Sequence, residues 1–213
     1  MTNDLNLQFK AALGPSEQFG VKRFSDKEID IFCRYYQLVL KWNSLLHLTT
    51  ITNPVEFVQR HIFESAFTEK HILTSIHQVW DIGSGLGIPG IPIAVLRPDL
   101  PVNLIESNRK KAIFLKEVVG ALQINNIRVL NQRFEEIKDT TESDCVVTRA
   151  LDGMHGLLPV VLKLVQACAQ TLLLGNPTLS QATAQHISPE WQLINHPFPK
   201  SQNRLLIILT RST

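Results

Sequence analysis

The sequence predicts an α/β fold with a doubly wound, mostly parallel sheet, and three features predict it. A glycine-rich turn within VWDIGSGLGIPG, residues 79–90, connects an apolar strand to an apolar helix. Strand-like and helix-like patterns then alternate with short connections, as they do in parallel sheets. The last two strand-like segments are separated only by a turn, which indicates an antiparallel hairpin. We therefore predict five parallel strands, a C-terminal hairpin and N-terminal helices.

Length and composition limit the classes of protein. The chain has 213 residues, of which 44% are hydrophobic, so we expect one domain, 1–213, with a helical subregion at 1–77 and a sheet-containing core at 78–213. A formal charge of +2 permits a nucleic-acid partner but does not demand one. Three cysteines without C-x-x-C spacing suggest neither disulfides nor zinc. No apolar run would span a membrane, so we expect a cytoplasmic protein without metal or membrane partners.

Two helices are predicted before the glycine turn. Ser25 and Glu28 have the spacing of a capping box, and apolar residues then recur at helical intervals to about Leu46. The second helix begins after Asn53, with Pro54 at its first position, and its apolar face continues to about residue 66. We expect both helices to cover one flank of the sheet.

The elements after the N-terminal helices follow in a regular order. Each strand is a short apolar run, and each helix has apolar residues at helical spacing. The predicted strands are 79–81, 102–106, 127–130, 144–148, 171–174, 191–194 and 205–210. The predicted helices are 91–96, 108–122, 157–169 and 179–187.

Polar residues and glycines follow the ends of the first four parallel strands. Ligands of such sheets bind beyond the carboxyl ends of the strands, where the strand order reverses. We therefore expect these residues to face one crevice. They are Asp81, Gly83, Gly85 and Gly87 after the first strand, Glu106 after the second, Phe134 and Glu135 after the third, and Arg149 after the fourth.

Three interpretations of the glycine turn stay open. Gly85, Gly87 and Gly90 fit the dinucleotide pattern G-x-G-x-x-G, and Glu106 follows about twenty residues later. Against this, the carboxylate of Asp81 would repel a pyrophosphate. S-adenosylmethionine would suit two carboxylates, because one could face its cationic amino-acid end and the other its ribose hydroxyls. The third interpretation is a turn that binds no ligand.

Six motifs spread over nearly the whole chain carry a resemblance to a known family. They are KWNSLLHLTTI at 41–51, RHIFESA at 60–66, DIGSGLGIPGIPIA at 81–94, ESNRKKAIFL at 106–115, QRFEE at 132–136 and DCVVTRA at 144–150. In these motifs the chain resembles the RsmG (GidB) family of small-subunit rRNA guanine-N7 methyltransferases. The resemblance implies a class I methyltransferase with a Rossmann-like sheet.

The resemblance also implies a reaction, a cofactor and a substrate. The reaction is methyl transfer from S-adenosylmethionine to N7 of one guanine in 16S rRNA, as free RNA or in the small ribosomal subunit. By motif position, the implied cofactor contacts are Gly83, Ile88, Phe134, Glu135 and Arg149, and Asp81, Gly85, Gly87 and Glu106 are added from the chemistry of the turn. The chain departs from the family at His47, Glu64 and Leu174, where Asn, Asp and Lys are usual.

Guanine N7 carries an in-plane lone pair, so its methylation needs no general base. We therefore expect catalysis by positioning, with Arg149 as a residue that could orient either the cofactor or the base. The histidines lack metal-ligand spacing and are expected to be structural or exposed, although His61 could contribute to an RNA surface. A cluster of basic residues is either a phosphate-binding face or an ordinary solvated surface: Arg109, Lys110, Lys111, Lys116, Arg128 and Arg133.

Other functions also stay open at this point. A methyltransferase of small molecules or proteins would use the same cofactor turn. A dinucleotide-dependent oxidoreductase is disfavoured by Asp81 and by the C-terminal hairpin. A binding protein without catalytic activity is the remaining class.

Overall fold

The computed structural model describes residues 2–137, 141, 144–149, 158–165 and 167–211. One sheet of seven strands has the order β3-β2-β1-β4-β5-β7-β6. The strands are β1 (Gln78–Ile82), β2 (Val102–Ile105), β3 (Ile127–Leu130), β4 (Asp144–Thr148), β5 (Gln170–Gly175), β6 (Trp191–Pro197) and β7 (Leu205–Arg211). Strands β1 to β5 pair in parallel, and β7 runs antiparallel to both of its neighbours. The predicted fold class is confirmed.

Eight α-helices surround the sheet in the described part of the chain. They are α1 (Thr2–Leu13), α2 (Asp26–Leu46), α3 (Pro54–Phe57), α4 (Glu64–Glu69), α5 (Gly90–Leu96), α6 (Arg109–Leu122), α7 (Leu158–Val165) and α8 (Pro177–Ala184). A π-helical segment, Val58–Phe63, joins α3 to α4, and short 3-10 helices lie at Ser16–Phe19 and Phe134–Glu136.

The start signals of the N-terminal helices act as the sequence predicts. Ser25 Oγ accepts from Glu28 N at 3.3 Å, and Ser25 N donates to the Glu28 carboxylate at 2.7 Å, which completes the capping box of α2. The side-chain oxygen of Asn53 accepts two backbone N–H groups at the start of α3, where Pro54 is the first helical residue. These caps satisfy N–H groups that a helix leaves without partners.

Several element boundaries differ from the sequence prediction. Helix α1 was not predicted, because Phe9 and Leu13 are the only buried apolar residues between residues 4 and 13 and so leave little amphipathic pattern. The second predicted helix continues to Glu69. Pro197 belongs to β6 instead of the turn, since an edge strand tolerates a residue without an N–H. Helix α7 is shorter than the predicted 157–169, of which residues 157 and 166 lie outside the described part.

The N-terminal helices and the sheet share one apolar core. Phe9, Tyr35 and Phe57 belong to the same buried cluster as Val79 of β1 and Leu104 of β2. Aromatic rings pack closely inside the helical part, with 5.0 Å between the centroids of Tyr36 and Phe57. Such continuity is what a single domain requires. The single domain, 1–213, and its division between residues 77 and 78 stay predictions.

Candidate functional site

The register of the parallel strands brings the predicted site residues to one edge of the sheet. Ile82, the last residue of β1, pairs with Ile105 of β2 and with Thr148 of β4. The next residues along the chain are Gly83, Glu106 and Arg149. All three therefore leave the sheet at its carboxyl edge, next to the point where the strand order reverses.

The glycine turn is fixed by hydrogen bonds from its backbone. The N–H groups of Gly83 and Ser84 both donate to the Ile105 carbonyl at 3.0 Å, and that of Gly85 donates to Glu106 Oε2 at 2.9 Å. Gly85 has a φ of +57°, and a Cβ placed there would meet nothing closer than 3.8 Å. Gly85 is therefore required by its backbone conformation and presents an open surface.

Glu106 is a buried carboxylate with a fixed position. Its Oε1 accepts from Asn108 N at 2.7 Å, while Oε2 accepts from Gly85 at 2.9 Å. Only 7% of Glu106 is exposed. An ionised carboxylate has about four acceptor positions, so two are left for donors of a ligand.

Asp81 lies beneath the glycine turn and is fully buried. Its Oδ2 accepts from Gly90 N at 3.1 Å, whereas its Oδ1 has no hydrogen-bond partner among the described residues. Burial raises the pKa of Asp81 to about 7; the hydrogen bond from Gly90 and the nearby Ser84 side chain oppose this rise, and the charge of Glu106 adds to it. An unsatisfied buried acceptor is costly and suits a donor or a cation.

A cavity of about 490 Å³ opens at this edge of the sheet. The glycine turn forms one side of it, and a segment after α2 forms the other. The lining residues are His47, Leu48, Thr49, Thr50, Ile51, His61, Gly83, Ser84, Gly85, Leu86, Ile88 and Arg149. Sequence reasoning missed the wall at 47–51 as a site element, although His47 was noted as a departure from the family.

Two adjacent tyrosines of α2 hold the two sides of the cavity. The Tyr35 hydroxyl donates to the carbonyl of Leu86 in the glycine turn at 2.7 Å. The Tyr36 hydroxyl donates to the carbonyl of Thr52, just after the 47–51 segment, at 2.6 Å. Both tyrosines are buried. Helix α2 thus sets the spacing between the walls.

Arg149 connects the end of β4 to the N-terminal helices. Its Nη1 donates to the Arg60 carbonyl at 2.6 Å, and its Nη2 lies 3.7 Å from Glu64 Oε2. Arg204 Nη2 approaches the same carboxylate oxygen at 3.2 Å. Glu64 is 4% exposed, so removing it would leave buried guanidinium groups without this carboxylate.

His61 has a defined tautomer. Arg149 Nη1 lies 2.9 Å from His61 Nδ1, and because a guanidinium only donates, Nδ1 must accept. Burial, followed by the charge of Arg149, lowers the pKa of His61 well below its usual range. The imidazole is therefore neutral with its proton on Nε2, which lies 3.3 Å from Thr49 Oγ1. This residue was expected to be structural or exposed, and it is buried at the cavity wall.

The remaining predicted residues divide into two groups. Ile88 is buried and lines the cavity. Gly87 does not line it, and a Cβ there would lie 2.3 Å from Ile91 Cδ1, so this glycine allows close packing. Phe134 packs on the smaller apolar clusters and Glu135 is exposed, 3.3 Å from Arg133. Asp81, Glu106, Phe134 and Glu135 also lie outside the lining of the cavity. Cofactor contacts at all nine predicted residues stay predictions.

The described residues contain neither a candidate metal site nor a candidate membrane span. That part of the chain contains no group of three or more side chains of His, Cys, Asp or Glu placed to bind a metal ion. In the same residues, no helix combines the length and the apolar character needed to cross a bilayer.

Comparisons with known proteins agree on one family. The sequence profile described as "rRNA small subunit methyltransferase G" matches residues 28–202. A protein of that name from Nitrosomonas eutropha is 41% identical over 57% of this chain, and the match spans only 56% of that relative's length. Another from Xylella fastidiosa is 33% identical, covering 83% of this chain and 84% of the relative.

A structural comparison supports the fold alone. The crystal structure of a precorrin-6y C5,15-methyltransferase from Geobacter metallireducens matches with a TM-score of 0.55 and 18% identity. The match covers 78% of this chain and 91% of that one.

The protonation of Asp81 can be tested through stability. Its pKa of about 7 when folded exceeds the value of 3.8 for an ordinary aspartate, so the folded state retains the proton between these values. The proton that Asp81 retains therefore stabilises the folded state fully below pH 3.8, and this stabilisation is lost as the pH rises through 7. We expect the free energy of unfolding, relative to Asp81→Asn, to fall by about 2 kcal/mol from pH 5 to pH 8. Urea unfolding of both proteins measures this difference.

The control for this experiment is Asp4→Asn, which changes an exposed aspartate. Its stability relative to the unmodified protein should be nearly the same at pH 5 and pH 8. A difference for Asp81→Asn that is constant with pH would contradict a buried, protonated Asp81.

Proposed function

Because the chain belongs to the rRNA small subunit methyltransferase G family, we propose that it transfers a methyl group from S-adenosylmethionine to N7 of a guanine in 16S rRNA of the small ribosomal subunit. The observation that carries this proposal is the position of the cavity. Segments distant in the sequence, at 47–51, 61, 83–86, 88 and 149, meet around it. The same segments contain motifs through which the chain resembles the family.

The chain's own residues suit the proposed cofactor. S-adenosylmethionine would supply an activated methyl group on a sulfonium. Glu106, which keeps two acceptor positions, would accept the ribose hydroxyls. The unpartnered Oδ1 of Asp81 would favour the cationic amino-acid end through its charge, and Gly85 leaves room for close approach.

A dinucleotide is less compatible with this turn. Glycine-rich turns bind pyrophosphate through backbone N–H groups that are free to donate. Here the N–H groups of Gly83 and Ser84 donate to Ile105, that of Gly85 donates to Glu106, and that of Gly87 donates to Ser84. A phosphate would also meet the carboxylate of Glu106. These contacts favour a neutral or cationic ligand.

Positioning is the work that the chain would perform on the nucleobase. Guanine N7 is already nucleophilic, so the enzyme has to orient it and exclude water. N7 lies on the major-groove edge, which side chains do not reach in an RNA helix, so the base must be unpaired. Exposed Arg109 and Lys110 at the start of α6 form no ion pair with any described residue, and they supply charge for RNA phosphates near Glu106.

A labelling experiment tests the proposed reaction directly. The protein is incubated with methyl-labelled S-adenosylmethionine and small ribosomal subunits from a strain that lacks the gene. We expect label in 16S rRNA at a single guanine, and chain cleavage specific for N7-methylguanine should map it. Label in ribosomal protein, or no label in rRNA, would refute the proposal.

Glu106→Gln should weaken cofactor binding. The amide places an N–H₂ where a backbone N–H now donates, and it removes the charge that accepts from the ribose. Hydrogen bonds to charged groups contribute about 1.5–3 kcal/mol, so we expect a roughly tenfold to hundredfold higher Kd for S-adenosylmethionine by calorimetry.

Glu117→Gln is the matched control, because Glu117 is an exposed glutamate on α6. This variant should bind the cofactor as the unmodified protein does. An unchanged Kd for Glu106→Gln, with thermal unfolding also unchanged, would exclude Glu106 from the cofactor site.

A further inference from the structure

Thr49 lies in the cavity wall contributed by the segment after α2, opposite the glycine turn. The residue is half-buried. Its Oγ1 accepts a hydrogen bond from Ile51 N at 3.0 Å. Because the proton of His61 is on Nε2, Oγ1 also accepts from His61 at 3.3 Å. Both acceptor positions of the hydroxyl are therefore filled.

The hydroxyl hydrogen is the remaining hydrogen-bonding group of Thr49. No described residue accepts from it. The direction of this donor is set by a chain of contacts, since Arg149 donates to His61 and His61 donates to Thr49. Thr49, a lining residue of the cavity, thus carries a neutral donor whose polarity cannot reverse while Arg149 stays in place.

We propose that Thr49 determines base specificity by donating its hydroxyl hydrogen to O6 of the target guanine. This inference rests on the proposed function and identifies the residue that recognises the base. N7 and O6 of guanine are both acceptors on the same edge of the purine, whereas adenine carries an amino donor at position 6. A donor at Thr49 would hold guanine with N7 facing the cofactor side. With adenine, the Thr49 hydroxyl would face the amino group, and two donors would be placed against each other.

A fixed donor discriminates more strongly than an adaptable one. A hydroxyl with a free lone pair could turn and accept from the adenine amino group. Thr49 cannot, because its lone pairs already accept from Ile51 and His61. With adenine in the site, the Thr49 hydroxyl and the adenine amino group would each be a donor without an acceptor. Such unpaired donors are costly in a site that excludes water, and this cost would reject adenine.

Purine analogues at the target nucleotide separate this role from a structural one. Ligated 16S rRNA carrying guanosine, inosine or 2-aminopurine at that nucleotide is assembled into small subunits. Inosine keeps O6 and lacks the 2-amino group, while 2-aminopurine keeps that group and lacks O6. Single-turnover rates are measured with the unmodified protein, with Thr49→Val, which lacks the hydroxyl, and with Thr49→Ser, which keeps it.

The expected pattern depends on the base. Loss of one neutral hydrogen bond should make Thr49→Val about tenfold slower on guanosine and on inosine. On 2-aminopurine the same variant should lose clearly less, because no O6 is present and only the contacts of the hydroxyl with Ile51 and His61 are removed. Thr49→Ser should stay close to the unmodified rate on all three bases. Where a base reacts too slowly for its rate to be measured, the Kd values of small subunits carrying the three bases should show the same pattern.

Two other results would overturn the proposal. An equal loss for Thr49→Val on guanosine and 2-aminopurine would show that the hydroxyl only supports the loop. No loss on guanosine would show that the hydroxyl does not contact the base. Failure of the unmodified protein to methylate guanosine would refute the proposed function instead, so the two failures are distinguishable.

Discussion

The in-register pairing of β1 with β2 and β4 is the constraint on which the site depends. Ile82 is level with Ile105 and Thr148, so the residues that follow are brought to one edge without any need for a long loop. A shift of one residue would point each alternating side chain to the other face of the sheet. It would also break the two hydrogen bonds that the Ile105 carbonyl accepts from the glycine turn. The register of β1 with its neighbours and the geometry of the glycine turn therefore depend on each other.

Much of the part of the site that follows the carboxyl ends of the strands could be predicted from the sequence. Strand ends are local features, and the rule that parallel strands place ligands beyond their carboxyl ends converts them into a three-dimensional site. The opposite wall could not be predicted in this way, because Tyr35 and Leu86 are 51 residues apart and only packing brings them together. The contact of His61 with Arg149 could not be predicted for the same reason. The role of His61 depends on Arg149, which lies 88 residues later in the chain.

The N-terminal helices complete a site that the sheet alone would leave open. Related folds act on different substrates, so the sheet does not determine specificity. In this chain the segment 47–51 provides the second wall, and α2 holds it through Tyr36 while holding the glycine turn through Tyr35. Since one rigid helix contacts both sides, the width of the cavity is fixed before any ligand binds. Such preorganisation suits a reaction that needs positioning more than acid–base chemistry.

In the proposed function, the two carboxylates of the site would lie near a cationic ligand. Burial, with a smaller contribution from the charge of Glu106, raises the pKa of Asp81 to about 7, so the protonated form is favoured below that pH. A cationic group nearby would favour ionisation and lower that pKa again. An anion would have the opposite effect, and it would find no free N–H group at Gly83, Ser84 or Gly85. In the proposed function, ionisation of Asp81 beside a positively charged ligand would offset part of the cost of burying this carboxyl at the end of β1.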